Sequence, residues 1–416
     1  MTILGLAWAY LKRAALTTTL NVALLALGTG TIVVLILAGT QVQDRLARDA
    51  AGVDLVVGAK GSPLQLILSA LYQIDIPTGN IPLSQAQALA SDPLVAQAVP
   101  LALGDSFRGY RIVGTDPAFV ALRHAQVATG RLWQAPMEAT VGAQVAQAAG
   151  LKVGDQFNSN HGLSAGGAVH EGMPYTVVGI LAPTGGVVDR LVLTPIDSVW
   201  AVHDAHHHHH DGDADEHEHG AGGAQGGAQP AQQPPEREVT SVLLRYRSPI
   251  AAALLPRRIN TGSVLQAASP AAEMTRLLSL VGIGTDTVRG FGLLLVASSA
   301  LSIFVALYNA TQARRYDLAV MRALGATRMR ISCLLLTEAL AMGAAGTALG
   351  LALGHGAVEL AGRLVPQARD MGITGLQFPA TEPYLLVLAA GLSVLAALVP
   401  AVQAYRTDVS AVLSRG

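Results

Sequence analysis

The sequence predicts a membrane α-helical fold of four transmembrane helices, with a large α+β extracytoplasmic domain inserted between the first and second. Three observations predict it. Four apolar segments, at about 16–38, 290–310, 332–354 and 384–404, each approach the roughly 20 residues that cross a bilayer core. Hydrophobic residues make up 51 % of the chain and charged ones only 13 %, where a soluble domain carries about 25 % charged residues. Between the first and second segments the pattern changes to short apolar strands, turns and small helices.

The first apolar segment, LTTTLNVALLALGTGTIVVLILA, follows Lys12 and Arg13 and is longer than a cleavable signal sequence. No A-x-A site follows it, and Thr40 stands where a lipoprotein would need cysteine, so it reads as a retained anchor. Lys and Arg in short loops favour the cytoplasm. Lys12, Arg13, the Arg314–Arg315 pair, Arg406 and Arg415 therefore place both termini and the 311–331 loop inside. Residues 1–40 form the N-terminal end and first helix, 41–289 a periplasmic α+β domain, and 290–416 the remaining three helices. In that last part an outer loop spans 355–383 and a cytoplasmic tail follows 404. The expected setting is a cell inner membrane. Cys333 is the single cysteine, so the outer domain folds without an intrachain disulfide.

Within 41–289, Asp54 to Val57 reads as a strand, followed by a Gly-rich turn and a helix from Pro63 to about Tyr72. Lys60 is followed by glycine rather than Ser or Thr, so this turn is not a P-loop. Further strands are expected at 95–103, 107–114, 175–182, 190–195 and 239–247, with a helix, Gly-Asp turn and strand over 139–157. Residues 271–289 form an amphipathic stretch leading into the second apolar segment.

The segment HDAHHHHHDGDADEHEH (203–219) holds His203, His206, His207, His208, His209, His210, His217 and His219, eight of the 12 histidines, interleaved with six acids. Imidazole suits Zn2+, Ni2+ and Cu2+, and His-rich tracts read as metal-binding. The Ala/Gly/Gln/Pro run to 235 equally fits a solvated low-complexity loop. His355 to Glu359 superficially resembles a metalloprotease helix, but H-E-x-x-H is absent. Neither a Ser/His/Asp nor a Cys/His constellation assembles, so no intrinsic catalytic site is expected. A net charge of −1 gives no sign of a nucleic-acid partner.

Arg314, Arg315, Arg322, Arg328 and Arg330 crowd the 311–331 loop, opposed by Asp317. In the third apolar segment, Gly346, Gly350 and Gly354 form a small-x-x-x-small ridge that lets helices approach closely. Packing inside the four-helix set and a dimer seam both account for it. Glu338 is the one acid or base well inside an apolar segment. It is either an intramembrane functional carboxylate or the partner of a loop arginine. A hydrophilic solute would need more polar lining than this.

RRYDLAVMRALGATRMRI (314–331) resembles the R-x-x-E-[IL]-A-x-x-R-A-[LI]-G-A-[ST]-x-x-x-[IV] motif of the MacB/FtsX-like permeases of ABC transporters. This is the type VII, mechanotransmission class, which also holds LolC/LolE-type subunits. The family's E-A-x-x-x-G-x-x-G-x-x-x-G helix is matched from Glu338, and its C-terminal motif by PAVQAYRTDVSAVLSRG. IVGTDPAF (112–119), VGAQVAQAAGLKVGDQF (141–157) and YTVVGILAPTGGVVDRLVL (175–193) are similar to its outer domain. The sequence departs at Asp317, where Glu is usual, and at Asp408, where Pro is usual.

The resemblance implies a separate ABC ATP-binding subunit, since no ATPase domain is fused, and a homodimer or a heterodimer with a related permease. It puts Arg314, Asp317, Arg322, Gly325, Ala326, Arg328 and Glu338 at the surface that couples to that subunit. The chain itself would need no cofactor, with ATP acting through the partner. ATP-driven movements of the outer domain would then act on a periplasmic or membrane-associated substrate (lipoprotein, lipid, peptide or drug), with a periplasmic or outer-membrane partner and a link to zinc through the His-rich loop. The alternative is a non-transporting signalling or metal-sensing subunit.

Overall fold

The protein was studied as a computed structural model that describes residues 3–162, 172–210 and 236–406. His170, His217, His219 and the C-terminal residues beyond Arg406 lie outside them. Two compact units emerge, one formed by Met1–Asp44 with Ser279–Gly416 and the other by Arg45–Leu278.

In chain order, a short helix α1 (Ile3–Arg13) precedes α2 (Ala15–Ala50), after which come β1 (Leu55–Ala59), α3 (Pro63–Ala70), β2 (Ile81–Pro82) and α4 (Leu83–Ala90). β3 (Val95–Phe107), β4 (Tyr110–Gly114), α5 (Ala118–Leu122), β5 (Val127–Gly130), β6 (Glu138–Val141) and α6 (Ala143–Ala149) follow. Next are β7 (Gln156–Phe157), β8 (Asn160–His161), β9 (Tyr175–Leu181), β10 (Leu191–Thr194) and α7 (Ile196–His210). β11 (Glu238–Val239), β12 (Ser241–Tyr246), α8 (Pro249–Gly262) and β13 (Leu265–Ala268) complete the mixed unit. The chain ends in α9 (Pro270–Ala313), α10 (Arg315–Ala323), α11 (Arg328–Leu364), α12 (Pro366–Asp370) and α13 (Glu382–Arg406).

The Arg45–Leu278 unit is built on a sheet of order β13-β1-β12-β3-β4-β10-β6-β9-β5. Its long strand β3 is shared. The first half pairs antiparallel with β12, from Val95 opposite Tyr246 to Leu101 opposite Ser241, and the second half pairs with β4 across a bulge between Leu103 and Ser106. Val192 and Leu193 of β10 are buried, as apolar residues must be where both sheet faces are covered. β9 instead alternates between buried and half-buried residues along its length. Arg111 enters the core from β4, and its guanidinium donates to the carbonyls of Ser69 (3.2 Å) and Asp75 (2.8 Å). Burial lowers its pKa to about 10, and the carbonyls it satisfies are what allow a cation to remain there.

Among the described residues, four helices are long and apolar enough to cross a membrane: Ala15–Ala50, Gly284–Ala313 within α9, Arg328–Leu364 and Glu382–Arg406. The glycines of α11 answer the question left open by the sequence. A Cβ on Gly346 would meet the Leu25 side chain at 2.8 Å, one on Gly350 would meet Thr29 Cβ at 2.7 Å, and one on Gly354 would meet Val33 Cβ at 2.7 Å. The ridge is therefore the seat of α2 within the same chain. Replacing Gly350 by Ala is expected to cost about 2 kcal/mol through overpacking. Gly391→Ala on α13, where a Cβ meets nothing within 4 Å, is expected to be neutral. Thermal unfolding of the full chain in detergent compares the two.

Candidate functional site

The basic segment between the second and third long helices is more ordered than its charge pattern predicts. Residues 315–323, expected as part of a loop, form α10, because Leu318 and Ala319 turn inward and are buried, Leu318 in one cluster with Ile303, Leu307, Ile331 and Leu335. The arginines dominate the sequence signal, while the short apolar stripe between them decides the structure.

The turn after α10 is dictated by five residues. Ala326 N–H donates to the Met321 carbonyl and Gly325 N–H to that of Arg322, a Schellman pair. It needs a left-handed residue, and Gly325 sits at φ +97°. Thr327 then starts α11, its hydroxyl accepting from Arg330 N–H at 3.3 Å. Ala-Leu-Gly-Ala-Thr is thus a helix stop joined directly to a helix start.

Near this turn lies a buried ion pair of the bundle. Arg314, at the α9–α10 junction, places Nη1 3.2 Å from Glu338 Oε1 on α11. Both side chains are largely buried. The guanidinium also lies over the ring of Tyr10 on α1, 3.8 Å from its centroid. The sequence offered Glu338 a loop arginine as partner; the structure shows that this is Arg314. Tyr10 was missed altogether, although its neighbours Trp8 and Lys12 mark α1 as an amphipathic element. Three helices meet at one buried ion pair.

Outward from that clamp the surface is mixed. Leu324 is 82 % exposed and Met329 66 % exposed, flanked by exposed Arg328 and Arg330. Arg328 lies over Tyr405 of α13 at 5.6 Å. A groove of about 400 Å³ runs between Ile3 and Leu6 of α1 and the Leu324–Ala326 turn. Gly325 and Ala326 thus line this groove, and Arg322 sits half-buried on α10. Asp317 lies within α10.

At the opposite end of α11, His355 and Glu359 have a structural task in place of metal chemistry. His355 Nδ1 contacts the Gly375 carbonyl at 2.5 Å, and its Nε2 lies 2.9 Å from Glu382 Oε1, at ion-pair distance without hydrogen-bond alignment. Glu359 accepts from Thr374 Oγ1 (2.8 Å) and Gly375 N–H (3.0 Å). Gln41 exchanges two hydrogen bonds with the Thr374 backbone. Together they pin the 373–382 loop across the helix ends.

The His-rich tract is reached by α7, whose backbone carries positions 203 and 207, and 206 and 210, one turn apart. His217 and His219 lie outside the described residues. Among the described residues no three His, Cys, Asp or Glu side chains converge on a metal-sized point.

The clamp carries a direct prediction. Glu338→Leu leaves Arg314 buried without its counter-ion and is expected to destabilise the bundle by about 3 kcal/mol. Arg314→Met combined with Glu338→Leu is expected to recover most of that loss. Unfolding midpoints of the full chain in detergent measure both; equal destabilisation by the single and double variants would contradict the clamp.

Two family models match successive parts of the chain. A family model described as MacB-like periplasmic core domain matches residues 18–261, and one described as FtsX-like permease C-terminal matches residues 289–409. Among solved structures, the periplasmic region of MacB from Actinobacillus actinomycetemcomitans is similar at 10 % identity, covering 55 % of this chain and 95 % of that one, with a TM-score of 0.34. The extracellular domain of the noncanonic ABC-type transporter YknZ from Gram-positive bacteria is similar at 12 % identity, covering 52 % and 99 %, with a TM-score of 0.30. No curated protein matches. The chain belongs to the MacB/FtsX-like family of ABC transporter permeases.

Proposed function

We propose that this chain is the permease subunit of an inner-membrane ABC complex in which a separate ATP-binding subunit docks on α10 and the turn that follows it. The observation that carries the reading is the two-sided character of this element. Its inner side is fixed to the bundle by Leu318, Ala319 and the Arg314–Glu338 pair, while Leu324 and Met329 stand exposed among arginines on the outside. Exposed apolar side chains ringed by charge are the pattern of an interface. A load applied to this tip passes into α9, α11 and α1 through the buried ion pair, because a desolvated pair resists separation.

In this reading the tip faces the cytoplasm together with both chain termini, and the Arg45–Leu278 unit lies on the other side. ATP hydrolysis in the partner drives movements of that unit, which act on a periplasmic or membrane-associated substrate such as a lipoprotein, lipid, peptide or drug. The paucity of ionisable groups within the apolar segments of the long helices, where Glu338 is the one acid or base well inside, supports mechanical work over a polar solute path through one chain. Two permease chains and two ATP-binding subunits form the working assembly.

The test is affinity capture of the detergent-solubilised chain from its native host. Wild type is expected to retain an ATP-binding protein, and the Arg322→Glu/Arg328→Glu variant to lose at least about nine-tenths of it, the tenfold change that about 1.4 kcal/mol of lost docking energy produces. Capture of no ATP-binding protein by wild type, or equal capture by both, contradicts the proposal.

A further inference from the structure

At the Arg314 end of the bundle a cavity of about 450 Å³ opens between α1, α2, α9 and α11. Leu307, Ala310 and Met342 give it an apolar wall, while Tyr10, Arg13, Thr17 and Asn309 contribute polar groups. Arg13, Thr17 and Asn309 are exposed at its rim.

Asn21 of α2 forms part of the lining and is only 1 % exposed. Its Oδ1 accepts from Ser302 Oγ, but its Nδ2 has no partner among the described residues. A serine hydroxyl both donates and accepts, so turning the amide over merely exchanges which atom is left unpartnered. A buried amide in this state calls for a further polar group. The charge balance indicates its sign. Glu338 is the one carboxylate lining the cavity and is already engaged by Arg314. The lining therefore keeps one uncompensated positive charge, at Arg13.

We propose that this cavity binds the phosphate of an anionic phospholipid headgroup, with Arg13, Asn21 and Asn309 as its polar contacts and Leu307 and Met342 against the start of an acyl chain. The lipid source follows from position. The cavity lies at the beginning of α2, beside Leu16 and Leu20, which are 86 % and 57 % exposed, so its rim coincides with the level at which an apolar helix enters a bilayer. Cationic side chains at that level draw anionic lipids electrostatically. This site does not depend on docking of an ATP-binding subunit, and its failure would leave that reading untouched.

The experiment is titration of the delipidated full chain in detergent, followed by native mass spectrometry, with dioctanoyl phosphatidylglycerol, dioctanoyl phosphatidylcholine and inorganic phosphate as probes. Phosphatidylglycerol is expected to fill one site in preference to phosphatidylcholine. Arg13→Gln, a change at an exposed position, is expected to weaken that binding about fivefold. Asn21→Leu is expected to weaken it as well, and Asn309→Leu repeats the test at the exposed rim if the buried change perturbs folding. Equal affinity for the two lipids, or an unchanged affinity in both Arg13→Gln and Asn309→Leu, would overturn the proposal. Displacement of the lipid by equimolar inorganic phosphate would also overturn it, by assigning the site to a soluble anion.

Discussion

The membrane-helix unit depends above all on one buried ion pair. In surroundings as apolar as the packed faces of α9 and α11, an isolated guanidinium or carboxylate is held only at large cost. Arg314 and Glu338 are therefore obliged to stay together, and Tyr10 adds the face of an aromatic ring to the cation. This fixes the α9–α10 junction against α11 and against α1. The Schellman turn at Gly325 and the cap at Thr327 then fix the direction in which the tip projects. The geometry of the tip follows from that pair and these two backbone devices.

A second constraint is close helix approach. Gly346, Gly350 and Gly354 bring α11 against α2 at distances that leave no room for a Cβ. Where lipid gives no hydrophobic drive between helices, such contact is what packing energy remains. At the far end of α11, Glu359, His355 and Gln41 tie down the 373–382 loop. The third long helix is thus anchored at both ends and along its middle.

Much of this was readable in the sequence. The apolar runs, the basic segment and the R-x-x-[DE] to Gly-Ala-Thr motif announced four long helices and the place of the tip. Tyr175–Leu181 forms a strand where one was expected at 175–182. What was not readable depended on contacts across the fold. Helix α10 was hidden because charge hides a stripe as narrow as Leu318 and Ala319. A loop arginine was foreseen as the partner of Glu338, but which one was hidden, because Arg314 sits at the α9–α10 junction and meets α11 only through the fold. Asn21 gave no signal at all, since an amide in an apolar run looks the same whether its partners are complete or not. The glycine ridge was legible as a contact surface, but the identity of the helix seated on it was not.

The central claim is that the exposed tip after α10 meets an ATP-binding subunit. A photo-crosslinking residue placed at Leu324, and separately at Leu376 in the loop at the other end of α11, tests it in the native host; both positions are well exposed. The account predicts an ultraviolet-dependent adduct with an ATP-binding protein from position 324 and none from position 376. An adduct from neither position, or from 376 alone, would contradict it.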